Sequence, residues 1–134
     1  MKKVFLDTGG ILAAVNKRDS LHIKAVKVNR QLELGHVQFI ITDYILVEVC
    51  NSLAKHKELA MKTIEYLQTS EDIKILKITD SIFSKAIDIY KQYFDKDWGL
   101  TDITSFVVMQ HEGINEAFTG DHHFSQFGFQ VLLK

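Results

Sequence analysis

The chain has 134 residues, 46% hydrophobic and 25% charged, which suits one domain with its own hydrophobic core. Sixteen Lys and Arg against seventeen Asp and Glu give a net charge of −1, without the basic excess that nucleic-acid binders usually carry. No apolar run reaches membrane-spanning length, and the lone Cys50 excludes an internal disulfide or a multi-cysteine zinc site. Asp7 interrupts the first apolar stretch too early for a signal peptide, so a reducing, cytoplasmic setting is expected.

Val4 to Leu6 reads as a short buried strand. A helix is expected after Asp19-Ser20, with Leu21, Ala25, Val28 and Leu32 at helical spacing and Gly35 as its stop. Val37 to Ile41 is β-branched enough for a second strand. Thr42 or Asp43 then caps a helix to about Lys57, with Leu46, Val49, Cys50 and Leu53 as its buried stripe. A further helix covers Leu59 to Gln68, and Ile73 to Ile78 alternates as a third strand. Thr79 or Asp80 caps a helix with Ile82, Ala86, Ile89 and Tyr93 at helical spacing. Asp95 to Leu100 is a loop, Thr101 opens a helix to about Gln110, and Gly113 follows its end. Glu116 to Phe118 and Gln130 to Leu133 complete the strands. This alternation implies an α/β domain, 1–134, with a mostly parallel five-stranded sheet and helices on both faces.

Four acids stand where an apolar stretch meets a loop or a helix: Asp7, Glu48, Asp102 and Asp121. Carboxylates are costly beside apolar runs unless something pairs with them, and no Lys or Arg flanks any of the four. In an open parallel sheet, ligands bind beyond the carboxyl ends of the strands where strand order reverses. Asp7 follows the first strand and Asp121 the fourth, so neighbouring strands would bring both into that crevice. Glu48 and Asp102, on helices that could line it, complete one site. Four converging carboxylates repel one another unless a cation binds, and a divalent ion with oxygen ligands points to phosphate-ester chemistry. Setting the four aside leaves the remaining surface mildly positive. Lys17, Arg18, Lys24, Lys27 and Arg30 cluster in the first third, and Lys55, His56 and Lys57 form a second group. Taken alone, both clusters read as solvated helix faces.

The segments Phe5-Leu6-Asp7-Thr8, Glu48 after Ile41-Thr42, Leu100-Thr101-Asp102 and Phe118-Thr119-Gly120-Asp121-His122-His123-Phe124 carry a resemblance over nearly the full length. In them the chain resembles the PIN-domain nucleases, and among those the small VapC-type toxins. The resemblance implies a three-layer α/β/α fold and metal-dependent cleavage of RNA. Asp7, Glu48, Asp102 and Asp121 would be the acidic quartet holding Mg²⁺ or Mn²⁺. Thr8 would orient a carboxylate or contact phosphate, and Lys17, Arg18, Lys24 and Lys27 would carry the RNA backbone. A toxin of this kind implies a small antitoxin and a homodimer, for which Ile82, Phe83, Tyr90 or Phe94 on the fourth expected helix, or Leu59 and Tyr66 earlier, are candidate surface residues. The alternatives are a non-catalytic RNA-binding relative, or a nuclease of RNA processing without an antitoxin. Gly9-Gly10 departs from the family pattern, where a small polar residue is commoner after Thr8.

Asp121-His122-His123 also matches the name motif of another phosphoesterase family, but no Asp-x-Asp stands in the first strand, and both histidines read as loop residues. Phosphotransferases with a strand-end Asp-x-Asp would need an acid at Gly9, and a receiver-type domain would need an acidic pair near the first strand. Asp95 and Asp97 read as solvated, Trp98 as covering a core edge, Cys50 as a packed apolar group, and Phe124 and Phe127 as anchors for Asp121.

Overall fold

The structure is a computed structural model describing residues 1–134. Five strands, Lys3–Leu6 (β1), Gln38–Thr42 (β2), Ile73–Leu76 (β3), Glu116–Phe118 (β4) and Gln130–Val131 (β5), form one sheet in the order β3-β2-β1-β4-β5. Every neighbouring pair is parallel, with Phe5 opposite both Ile40 and Ala117. Successive strands step one way from β1 through β2 to β3, and the chain then returns to the other side of β1. Right-handed crossovers therefore place the helices before and after this reversal on opposite faces.

The first helical layer holds Thr8–Val15 (α1), His22–Leu34 (α2), Asp43–Ser52 (α3) and Lys57–Thr69 (α4), with α1 against α2 and α3, and α3 against α4. The second holds Asp80–Gln92 (α5), Leu100–Glu112 (α6) and His122–Gln126 (α7), where α6 packs on both others. Ile103 through Met109 are all buried, so α6 is enclosed on nearly every side. Its end at Gly113 is a left-handed turn at φ 67°, a conformation that favours glycine. Thr42 and Thr79 are the caps of α3 and α5, accepting from the backbone N–H of Ile45 and Ile82, each at 3.2 Å. Asp43 instead accepts from the Ile78 N–H at 2.9 Å, tying the start of α3 to the segment after β3.

Several expectations need correction. Residues 8–15, without an assignment from their spacing, form α1, because tertiary contacts outweigh the poor helix propensity of Gly9-Gly10. The expected helix to Lys57 ends at Ser52, and a short turn leads into α4. The buried stripe of α3 runs through Ile45 and Val49 to Leu53, which leaves Leu46 half-buried and turns Cys50 to solvent. His122 and His123 open α7 rather than lying in a loop, and Phe94 lies beyond the end of α5. The third and fifth strands are each two residues shorter than expected.

Gly10 sets how closely α1 approaches the sheet. A Cβ there would stand 1.9 Å from the Phe118 carbonyl oxygen, a backbone atom that cannot step aside. At Gly9 the nearest atoms to such a Cβ would be 3.6 Å and 3.7 Å away, ordinary contacts. Gly10→Ala is expected to cost at least about 2 kcal/mol by urea denaturation, while Gly9→Ala stays within about 1 kcal/mol of the parent. Equal midpoints for Gly10→Ala and the parent would contradict this packing.

Candidate metal centre

Strand order reverses between β1 and β4, and the chain leaving each strand carries an acid. Asp7 ends β1 and is the residue from which α1 starts. The Asp7 N–H donates to the Phe118 carbonyl at 3.4 Å, holding the two strand ends together. The fully buried Thr119 then donates its hydroxyl proton to Asp7 Oδ2 at 2.7 Å and accepts from the Asp121 N–H at 3.1 Å. Asp121 caps α7, its Oδ1 accepting from the His123 N–H at 2.9 Å. Asp102 sits in the first turn of α6. Glu48 projects from the middle of α3, where the Thr8 hydroxyl donates to its Oε1 at 2.7 Å.

All four acids line one cavity of about 320 Å³, together with Thr8, Thr119 and Asp19, and no Lys or Arg is among the lining residues. Asp7 is only 4% exposed. Loss of hydration pushes its carboxyl up to about 7, with further repulsion from Asp102 and Asp121, against the opposing pull of the Thr119 hydroxyl and the Thr8 N–H. Asp102 is raised too, first by burial and then by Asp121, while His123 acts the other way. Three of the acids stand at or in the first turn of a helix, where the unpaired N–H groups partly offset that repulsion.

Thr8 holds Glu48 in place. Lys17, Arg18, Lys24 and Lys27 are exposed on the α1–α2 loop and on α2, outside the cavity lining. Asp95 pairs with Lys96 at 3.4 Å, and Asp97 lines a different cavity, so neither joins the acids. Trp98 is buried and donates to Gln126 Oε1 at 2.9 Å. With Phe106, Phe124 and Phe127 it forms an aromatic cluster beneath α7, anchoring the segment that carries Asp121. Thr119, Asp19 and His123 were not among the candidate site residues. His123 Nδ1 lies 3.4 Å from both Asp102 Oδ2 and Asp121 Oδ1. The Thr119-Gly120-Asp121 spacing, a hydroxyl two residues before an acid, is the signal that marks Thr119.

A donor set of hard carboxylate oxygens with no Lys or Arg in the cavity lining fits a divalent cation. Without an ion, the folded state holds the Asp7 proton to about pH 7, whereas the unfolded chain releases it near 3.8. The folded state binds more protons through that window, so the contribution of Asp7 to stability falls as pH rises and levels off above it. In chelator, Asp7→Asn should therefore gain stability over the parent between pH 5 and pH 8, by on the order of a few kcal/mol. A difference between the two proteins that stays constant with pH in thermal melts would refute this account.

The PIN domain family model matches residues 4–130. VapC20 of Mycobacterium tuberculosis, described as a sarcin-ricin loop cleaving toxin, shares the fold with a TM-score of 0.83 at 22% identity, over 94% of this chain and 95% of that one. No curated protein sequence matches the chain. With the family match running from β1 to β5, and the fold shared, this chain belongs to the PIN domain family.

Proposed function

We propose that this chain is a metal-dependent endoribonuclease of the toxin type, working through Asp7, Glu48, Asp102 and Asp121. The observation that carries this reading is their meeting in one cavity without a Lys or Arg partner, at the switch point of a parallel sheet. The likeness to VapC20, itself a sarcin-ricin loop cleaving toxin, supports it. Mg²⁺ or Mn²⁺ would be held by the four carboxylates, and when bound supplies Lewis acidity for hydrolysis of a phosphodiester. Thr119 fixes the rotamer of Asp7 and Thr8 that of Glu48, so both carboxylates are oriented before any ligand arrives. The purified protein should cut RNA with Mg²⁺ or Mn²⁺ and stop in EDTA. Asp7→Asn should lower cleavage by about a hundredfold or more while remaining folded. Full activity of that variant, or cleavage undiminished by EDTA, rejects the mechanism.

The RNA backbone is proposed to approach over Lys17, Arg18, Lys24 and Lys27. Lys17 and Arg18 directly precede Asp19, which lines the acid cavity, and that adjacency supports the path. Reversing two of these bases to Glu should weaken RNA binding and flatten its dependence on salt. An unchanged salt slope would reduce the cluster to a solvated face.

The toxin reading also calls for a cytoplasmic chain, a small antitoxin and a homodimer. No helix is long and apolar enough to cross a membrane. Phe83, Tyr90 and Tyr66 are exposed on α5 and α4, and Phe94 is 96% exposed, as residues of an association surface would be in a single copy. Ile82 and Leu59 are half-buried beneath them. Light scattering at micromolar concentration should give twice the chain mass, and a monomer removes the dimer. Harmless overexpression of the chain alone would argue for RNA processing instead.

A further inference from the structure

The acid cavity has a neighbour. A second cavity, of about 610 Å³, lies between the end of α5 and the start of α6, with room for a nucleotide-sized ligand. Gly99 lines it and directly precedes α6, while Asp102, in the first turn of that helix, lines the acid cavity. Beyond its own chain neighbours, a Cβ at Gly99 would meet only Asp102 Oδ2 within 4 Å, at 3.9 Å. One residue without a side chain therefore stands between the two spaces. An RNA whose phosphate sits over the acids can lay the adjoining nucleotide in the second cavity.

The lining suits a base. Trp98 forms the buried side, fixed by its bond to Gln126 and by Phe106 and Phe127 behind it. Tyr93 lies against Trp98 with ring centroids 5.1 Å apart, yet Tyr93 is 38% exposed and Phe94 96%. Aromatic faces left in water beside a rigid wall are what the unstacked bases of single-stranded RNA pack against. Lys91 and Lys96 add cations for the flanking phosphates, and Asp97 adds an acceptor. Lys96 pairs with Asp95, an ion pair in which Asp97 takes no part. A carboxylate accepts from two adjacent donors at once. Guanine alone among the four bases offers that pair, a ring N–H beside an exocyclic amino group, whereas uracil shows a single N–H between two carbonyls. The charged rim speaks against a second copy of the chain as occupant, since interface cores are depleted of Lys and Asp. Phe83 and Tyr66 lie outside this lining and remain for association.

We propose that this cavity holds an unstacked base of the RNA beside the bond that is cut, with Tyr93 and Phe94 stacking on it and Asp97 selecting guanine over uracil. The proposal rests on the ribonuclease reading above and gives that site a source of sequence preference. Four carboxylates and an ion act on any phosphodiester; the neighbouring cavity decides which one is presented.

Trp98 is the only tryptophan, so its indole N–H gives one resonance that reports on the cavity. The test is titration of the full-length protein, in EDTA, with guanosine monophosphate and with uridine monophosphate, followed by NMR. Guanosine monophosphate should shift the indole resonance and bind about tenfold more tightly than the uridine nucleotide. Asp97→Asn should lose that preference, and Phe94→Ala should weaken both nucleotides by about tenfold. Both side chains are exposed, so neither change threatens the fold. An indole resonance that ignores guanosine monophosphate, or an Asp97→Asn variant that keeps the preference, would overturn the proposal. So would a Phe94→Ala variant that binds both nucleotides as the parent does; a change from dimer to monomer by light scattering in that case would assign the cavity to a second copy. A parent that cuts RNA with Mg²⁺ or Mn²⁺ while its indole ignores guanosine monophosphate overturns this proposal alone. A parent that cuts no RNA overturns both the proposal and the reading beneath it.

Discussion

A carboxyl group buried between the ends of two neighbouring strands is the constraint around which this molecule is arranged. Asp7 loses most of its hydration where β1 gives way to α1, and desolvation outweighs every other influence on its ionisation. Nothing basic reaches it. The Thr119 hydroxyl and the Thr8 N–H counter part of that cost, and both come from the backbone turns that leave β1 and β4. Thr119 also receives the Asp121 N–H, so one hydroxyl joins the first strand, the fourth strand and the start of α7. The close seat of α1, which Gly10 permits against the Phe118 carbonyl, keeps this junction tight.

The other two acids are placed by helices of different character. Asp102 heads α6, the helix enclosed by the second layer, and so sits on one of the most firmly packed elements of the fold. Glu48 comes from α3, whose outer face carries the exposed Val47 and Cys50, and depends on a hydrogen bond from Thr8 for its direction. Below α7, the aromatic cluster of Trp98, Phe106, Phe124 and Phe127 holds the fourth corner. Rigid support is therefore uneven: three corners rest on buried packing, and one on a single side-chain contact.

Much of this was legible in the chain. The β-branched runs and the caps at Thr42 and Thr79 marked strands and helix starts within a few residues, because those signals are local. The four acids were legible too, since each stands beside an apolar stretch where a carboxylate is out of place. What escaped the sequence depends on long-range contact. Gly9-Gly10 looks like a break until the sheet surface beneath it is known, and α1 is held by that surface rather than by propensity. The rotation of α3 that exposes Cys50 follows from which face meets α1 and α4, and both choices satisfied helical spacing. His123 reads as polar loop until α7 winds and aims its ring at an acid 21 residues earlier.

The hydrogen bond between Thr119 and Asp7 spans 112 residues of sequence. The cavity therefore has no local precursor: β1 sits in the middle of the sheet, yet its partner on the acid side is made near the other end of the chain. During synthesis Asp7 and Glu48 emerge while Asp102, Thr119 and Asp121 are still to come. Long-range pairing of this kind is slow to form and is completed last. A cell making such a chain meets the finished acidic pocket only once Asp121 has been translated, and no product that stops before it carries the full set of acids.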